Sequence, residues 1–348
     1  MGFLKKSIGQ GIGIDLGTSN IVVYQSDQGI VFDEPSAVAV RKMPQGGREI
    51  IAYGHEAKAM EGKTPQGVTV IRPLRDGVIA NYDMTEAVLK HYLSKITSES
   101  RFSRPLVVVS VPAKVTEVER RAVLDAAIGA GAKESYIIDE PIAAALGAGL
   151  PIAAPQGNMV LDIGGGTSEV AVISLDGIVV TNSLRSAGKE MDEAIVSMFR
   201  QKRALLIGEG TAETIKETIG SAVTLDEELT MEVKGRDLAD GLPKAEIVTS
   251  LEIREVLLPL ISRIEDMVKV ALEQTPPELA KDIVDHGIVL VGGASQLRGL
   301  PERLTKSLNA PVFLAENAIH AVALGIGRAL EDMDRMRHLL TTVQKRNR

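Results

Sequence analysis

Two short segments place a carboxylate, glycines and hydroxyl side chains in one turn. The first reads Gly11-Ile12-Gly13-Ile14-Asp15-Leu16-Gly17-Thr18-Ser19-Asn20 and runs into Ile21-Val22-Val23-Tyr24. The second reads Met159-Val160-Leu161-Asp162-Ile163-Gly164-Gly165-Gly166-Thr167-Ser168-Glu169 and runs into Val170-Ala171-Val172-Ile173. Gly17 lets backbone N–H groups approach an anion, and Thr18, Ser19 and Asn20 add side-chain donors. Successive N–H groups around such a turn form a concave nest able to cradle phosphates. Taken alone, the turn reads equally as a hairpin with a glycine turn. The repeat favours the phosphate reading. Gly164, Gly165 and Gly166 are costly in chain entropy, so three together between apolar strands point to a ligand that needs the space. Asp15 and Asp162 beside triphosphate oxygens would repel them unless a cation intervenes. Mg²⁺ suits that place, held through water by few carboxylates and by the phosphates themselves.

Other motifs fit less well. A dinucleotide fingerprint opens a helix after its glycines, whereas β-branched residues follow both turns here. Gly62-Lys63-Thr64 matches the end of a P-loop, but position 57, where the first glycine belongs, is Ala57. No buried strand precedes it, so it reads as a surface loop.

The elements that position these turns follow from the pattern. Asp162 lies about one domain length after Asp15, and two halves built alike are the simplest explanation. At 348 residues the chain is long enough for two domains. Strand and helix patterns alternate, as in an α/β protein. Leu106-Val107-Val108-Val109-Ser110-Val111 reads as a buried strand ended by Pro112, and Thr116 with Glu119 forms a capping box for a helix. Val118, Ala122 and Ala126 recur at helical spacing as its apolar residues. Gly287-Ile288-Val289-Leu290-Val291 is a second buried strand, running into Gly292-Gly293, and Thr275 before Pro276-Pro277 reads as a helix cap. Residues 34–74 and 189–250 read as insertions.

Composition narrows the function. The net charge of −7 argues against a nucleic-acid partner, whose affinity comes from Lys and Arg on phosphates. The absence of cysteine excludes disulfides, thiolate metal sites and cysteine nucleophiles, and fits a reducing cytosol. The five histidines are scattered, with no zinc-enzyme pair. The apolar runs near Val107 and Val289 fall short of a membrane span. The first residues lack a signal-peptide core, so the chain is expected to stay where it is made.

Together these residues resemble the actin, Hsp70 and sugar-kinase superfamily. Asp15–Thr18 is similar to its first phosphate turn and Asp162–Thr167 to its second. Asp139-Glu140-Pro141-Ile142-Ala143-Ala144-Ala145 resembles the connecting-helix start, and Leu290-Val291-Gly292-Gly293-Ala294-Ser295 the adenosine motif. Within the superfamily the chain most resembles the MreB/Mbl family of bacterial actin homologues. The matching segments include Asp33-Glu34-Pro35-Ser36, Ile71-Arg72-Pro73-Leu74-Arg75-Asp76-Gly77, Glu119-Arg120-Arg121-Ala122 and Gly188-Lys189-Glu190-Met191-Asp192, in shared order over most of the chain.

The resemblance implies an actin-like α/β ATPase fold: two similar βββαβα-type domains, each with a small inserted subdomain, and a nucleotide in the interdomain cleft. Residues 1–33 and 75–150, with 322–348 packing back, form one core, and 34–74 its insertion. Residues 151–188 and 251–321 form the other, with 189–250 as its insertion. It also implies ATP and Mg²⁺ as ligands. Asp15 and Asp162 would hold Mg²⁺ through water. Gly17, Thr18, Ser19, Asn20, Gly164, Gly165, Gly166, Thr167, Ser168 and Glu169 would line the phosphates. Gly188, Glu213, Thr214, Ile215, Lys216, Gly292, Gly293, Ala294 and Ser295 would line the nucleoside. Glu140 would orient the attacking water with help from Thr167, in keeping with the positioned nucleophile that phosphoryl transfer requires. Read by itself, Glu140 is also a helix N-terminal acid favoured by the dipole. The family commonly keeps glycines where this chain has Ala187 and Ala294, and alanine at either place demands negative φ.

Further expectations concern assembly. Phe3, Leu4 and Ile8 with Lys5 and Lys6 suit a short amphipathic membrane anchor, and equally a frayed tail docked on the core. Phe102, between Arg101 and Arg104, fits an interfacial contact with anionic lipid. The family implies head-to-tail protofilaments paired antiparallel through the helix around Val118 and Arg121. It also implies a cytoplasmic protein peripheral to the inner membrane face, working with cell-elongation and wall-synthesis proteins to maintain rod shape. An Hsp70-type chaperone would add a substrate-binding domain, a sugar kinase would phosphorylate an acceptor, and a scaffold would bind nucleotide without turnover.

Overall fold

The computed structural model describes residues 11–75, 77–97 and 104–342. The chain divides into two compact units. One takes it as far as Leu150 and again from His320, and the other spans Pro151–Ile319.

The first unit opens with β1 (Gly11–Leu16), β2 (Asn20–Gln25) and β3 (Gly29–Pro35). A small antiparallel sheet follows, of β4 (Val38–Lys42), β5 (Arg48–Tyr53) and β6 (Val68–Ile71), with α1 (Gly54–Ala59) between the last two. The pair β7 (Leu74–Arg75) and β8 (Val78–Ile79) leads into α2 (Tyr82–Thr97), then β9 (Leu106–Val111), α3 (Glu117–Gly129), β10 (Glu134–Asp139) and α4 (Glu140–Gly147). The main sheet has the order β10-β9-β1-β2-β3. β1 pairs antiparallel with β2 and parallel with β9. Val107, Val108 and Val109 are wholly buried, as a central parallel strand covered on both faces requires.

The second unit repeats this plan. β11 (Asn158–Ile163), β12 (Ser168–Ser174) and β13 (Gly177–Leu184) are followed by α5 (Gly188–Arg203), β14 (Leu205–Leu206) and α6 (Glu209–Ile219). β15 (Thr230–Asp237) and β16 (Pro243–Thr249) complete a small sheet with β14. Then come α7 (Ser250–Gln274), α8 (Pro277–His286), β17 (Ile288–Val291), α9 (Leu300–Leu308) and β18 (Val312–Leu314). The main sheet order is β18-β17-β11-β12-β13, with β11 antiparallel to β12 and parallel to β17. In both units a central strand thus carries a hairpin on one side and two parallel strands on the other. The repeat in the sequence is a repeat of topology.

Local chemistry sets several boundaries. The Thr116–Glu119 capping box starts α3, and an equivalent Thr249–Glu252 box starts α7. Two sequence expectations need correction. Thr275 does not cap α8; it ends α7, with its hydroxyl donating to the Ala271 carbonyl at 2.7 Å, and Pro276 takes the cap position. Val118 does not lie on the buried stripe of α3. That stripe is Val123, Leu124, Ala126 and Ala127, while Val118 is 79% exposed. Val118 instead shares the outward face of the helix with exposed Arg121 and Asp125.

Back in the first unit, α10 (Ala321–Glu331) follows directly on His320 and packs against α4. The contact is backbone to backbone. A Cβ on Gly325 would lie 1.8 Å from the Ala143 carbonyl oxygen, and one on Gly147 would lie 1.7 Å from that of Ala321. The points where the chain leaves and re-enters this unit therefore sit beside a single tight helix pair. Among the described residues no helix is long and apolar enough to cross a membrane.

Candidate functional site

Each unit presents one turn at the end of its central strand. In the first, Asp15 is the penultimate residue of β1, opposite Val22 of β2. Ser110, near the end of the parallel neighbour β9, donates its hydroxyl to Asp15 Oδ1 at 2.9 Å. Burial pushes the Asp15 carboxyl up to about 6; the Ser110 hydrogen bond opposes this, Asp33 adds to it and His320 opposes it. A carboxylate raised in this way gains from a nearby cation. Gly17 makes the turn possible, since a Cβ there would lie 2.5 Å from the Asn20 carbonyl oxygen. Thr18 is buried and its hydroxyl accepts from the Gly77 N–H at 2.9 Å. The Ser19 carbonyl accepts from the Ser36 N–H at 2.7 Å. Asn20 Nδ2 donates to Asp33 Oδ1 at 2.8 Å.

Glu140 is the first residue of α4, directly after β10, with Pro141 behind it. Because β1, β9 and β10 are parallel neighbours, Asp15, Ser110 and Glu140 share the carboxyl-terminal end of one sheet. In α/β sheets ligands gather at that end. Asp139, which caps the helix, is held by Arg120 at 2.7 Å.

The second unit gathers more of the expected residues. Asp162 is penultimate in β11 and buried at 6% exposure. Gly292 has φ of 88°, and a Cβ there would lie 2.3 Å from Asp162 Oδ1. Ser295 donates its hydroxyl to the Gly292 carbonyl at 2.6 Å. The glycine turn receives the start of α5: the Gly188 N–H donates to the Gly164 carbonyl at 3.1 Å and the Lys189 N–H to that of Gly165 at 2.8 Å. A Cβ on Gly188 would touch Ala294 Cβ at 3.4 Å and Lys216 Nζ at 3.5 Å. Lys216 Nζ donates to the Gly188 carbonyl at 3.1 Å and pairs with Asp192 at 2.8 Å. Burial pushes the Asp192 carboxyl up to about 6 against the pull of Lys216. Asp162, the glycine turn, Gly188, Lys216 and Gly292–Ser295 thus adjoin one another as one connected cluster of sequence-distant pieces.

Other expected residues point elsewhere. Ile215 is wholly buried in the core, and Thr214 donates its hydroxyl back to the Gly210 carbonyl at 2.9 Å. Ser168 donates to the Ser186 carbonyl at 2.7 Å, and Glu169 is buried facing Thr181 of β13. Ala187 has φ of −161°, plain extended backbone, and Ala294 opens a helical turn. Neither alanine is strained where the family commonly has glycine. Phe3, Leu4 and Phe102 lie outside the described residues.

Sequence reasoning missed Ser110, Asp192, Asp33 and His320. Ser110 left one signal, a lone hydroxyl in a run of valines. Asp33 and His320 left none, being 287 residues apart.

Gly292→Ala is expected to destabilise the second unit by about 1–3 kcal/mol, because alanine would need a left-handed backbone and would press on Asp162. Urea unfolding measures it; an unchanged midpoint and slope would show that the turn relaxes freely.

A model of the family described as MreB/Mbl protein matches residues 9–338. Cell shape-determining protein MreB of Escherichia coli (strain K12) is 49% identical over 326 residues, covering 93% of this chain and 94% of its own. MreB5 of Spiroplasma citri bound to ADP superposes with a TM-score of 0.89 at 38% identity, over 95% of this chain and 98% of that one. MreB5 bound to AMPPNP superposes with a TM-score of 0.88 at 38% identity, over 94% and 98%. The fold is the actin-like α/β fold expected from the motifs.

Proposed function

The chain belongs to the MreB/Mbl family, and from that membership we propose that it is a cytoskeletal ATPase whose membrane-associated filaments organise cell-wall synthesis and maintain rod shape. The observation that carries the nucleotide reading is the duplicated strand–turn–strand with an aspartate one residue before each strand end. MreB5 of Spiroplasma citri, a solved relative, is bound to ADP in one structure and to AMPPNP in another. Each turn would offer its amides to phosphate oxygens of ATP. Its nucleoside would rest against Gly188, Lys216 and Gly292–Ser295, with Glu213 beside them.

The donor set fits Mg²⁺. Asp15 and Asp162 are hard oxygen donors at the two turn ends, and burial has already made the Asp15 carboxyl receptive to positive charge. Among the described residues no cluster of three or more His, Asp or Glu could hold a cation alone. The ion would therefore share its ligands with phosphate and water, which is the habit of Mg²⁺. When bound it would neutralise charge on the phosphates. The chain's own groups do the rest. The turn amides with Thr18, Ser19 and Thr167 bind and orient the phosphates. Glu140 accepts a hydrogen bond from the attacking water, and Thr167 helps to place it.

Assembly follows from surface chemistry. Val118 is an apolar side chain 79% exposed on the first turn of α3. Arg121, also exposed, leans on Asp125 at 3.5 Å. A face that meets its own copy antiparallel puts each valine against its partner's helix. Exposed Val284, Phe313 and Leu314 in the second unit offer further apolar surface for subunit contacts. Phe3, Leu4 and Phe102 would provide weak anchors that a filament makes firm by avidity.

The decisive experiment is electron microscopy of the purified chain with MgATP on anionic liposomes, combined with phosphate release. Membrane-bound paired filaments and slow release are expected; persistent monomers would overturn the assembly reading. Val118→Glu is expected to leave single protofilaments and abolish pairing, since it sets like charges against each other across the two-fold contact. Pairs that persist in micrographs of the variant would place the lateral contact elsewhere.

A further inference from the structure

His320 is the residue at which the chain re-enters the first unit. Its Nε2 lies 2.9 Å from Asp33 Oδ2. The other oxygen of the same carboxylate, Oδ1, accepts from Asn20 Nδ2 at 2.8 Å. One carboxylate therefore joins the last residue of the first turn to the point of chain return. The phosphate reading of the turn assigned no part to Asp33 or His320.

The arrangement has two consequences for an anion in the turn. The first is orientation. An asparagine carboxamide carries two N–H donors on its nitrogen, and with one of them bound to Asp33 the direction of the other is fixed. The second is charge. Asp33 is close enough to Asp15 to raise its carboxyl, whereas His320 acts in the opposite sense. His55 also bears on Asp33, and the His320 and Asn20 hydrogen bonds outweigh burial to hold the Asp33 carboxyl below its usual range. Asp33 is thus an anion, fixed beside a turn that already carries Asp15. An anion there repels phosphate, and a hydrogen-bond donor on its second oxygen, as His320 Nε2 is at 2.9 Å, disperses that charge.

We propose that Asp33 and His320 are positioning residues for phosphate binding: Asp33 orients Asn20, and the His320 hydrogen bond holds Asp33 in place and disperses its charge. This rests on the reading of the Asp15 turn as a phosphate site. Neither residue touches the reacting atoms; both act through Asn20 and through the field at the turn.

The test is the dissociation constant for MgATP of the full chain, by calorimetry, in a double-mutant cycle. His320→Ala is expected to weaken binding about tenfold, since it strips Asp33 Oδ2 of its donor. Asp33→Asn keeps an oxygen for Asn20 and removes the charge, so it is expected to bind within about twofold of the parent. In that background His320→Ala should add less than about twofold, because there is no carboxylate charge left to disperse. A loss that persists in the Asp33→Asn background would show a merely structural histidine and overturn the proposal, as would wild-type affinity in His320→Ala. Thermal unfolding without nucleotide confirms that each variant is folded. Should His320→Ala unfold, His320→Gln keeps an N–H donor on a side chain of different shape and is expected to lose affinity partially, again rescued by Asp33→Asn. If the parent chain itself fails to bind MgATP, the phosphate reading fails together with this inference. If it binds and the cycle shows no coupling, only the inference fails.

Discussion

Gly325→Ala is expected to destabilise the first unit by about 4 kcal/mol, a large fraction of the stability of a typical domain. The reason is geometric. The added Cβ would lie 1.8 Å from the Ala143 carbonyl oxygen and 2.9 Å from the Gly147 amide nitrogen. Both are backbone atoms of α4, so no side chain can swing aside. The helices must separate, and the contacts of Ala143, Ala144 and Ala145 with α10 go with them. Overpacking a core usually costs about 1–3 kcal/mol because side chains yield; here the clash is with main chain. A fall in Tm of about 10 °C is expected. Gly210→Ala is the control. It lies in α6 with no atom within 4 Å of its added Cβ, and it is expected to stabilise by up to about 1 kcal/mol through helix propensity. Equal melting shifts in the two variants would refute the close-contact account. Because α4 carries Glu140 at its start, a Gly325 variant that still folds should also lose activity.

Glu140→Ala is expected to slow phosphate release at saturating nucleotide by about 100-fold, while MgATP still binds within about threefold of the parent affinity. Glu140 opens α4 at the same sheet end as Asp15. A carboxylate there can accept a proton or hydrogen bond from water aimed at the terminal phosphate, but it adds nothing to ground-state affinity for an anion. Removing it should therefore spare binding and strike turnover. Single-turnover release with calorimetry separates the two. Unchanged release would remove Glu140 from the mechanism and leave it as a helix-start acid. Loss of binding alone would make it a structural residue.

The two turns were legible because each is local. Apolar residues, an aspartate and glycines within ten positions specify a strand end and its turn with little help from elsewhere. The duplication then identified two similar units, and the sheet orders repeat as the motifs do. The Thr116–Glu119 box was legible for the same reason. Thr275 was misread because a threonine before Pro-Pro serves equally to end one helix or begin another, and the packing of α7 decides. Val118 was placed on the buried stripe because spacing alone does not say which face packs; the packed face is that of Val123, Leu124, Ala126 and Ala127, and Val118 lies opposite it.

By itself, then, the sequence determined the family, the paired aspartate turns and the α/β alternation, all properties of contiguous residues. Tertiary structure alone decided the rest. It set Ser110 on Asp15 across parallel strands, buried Asp162 under Gly292 and brought Lys216 to Gly188. It also pressed α10 backbone to backbone on α4, and it joined Asp33 to His320 across most of the chain. A hydrogen bond or a clash depends on ångström distances between groups, and residues far apart in a chain acquire those distances only when the intervening elements have packed.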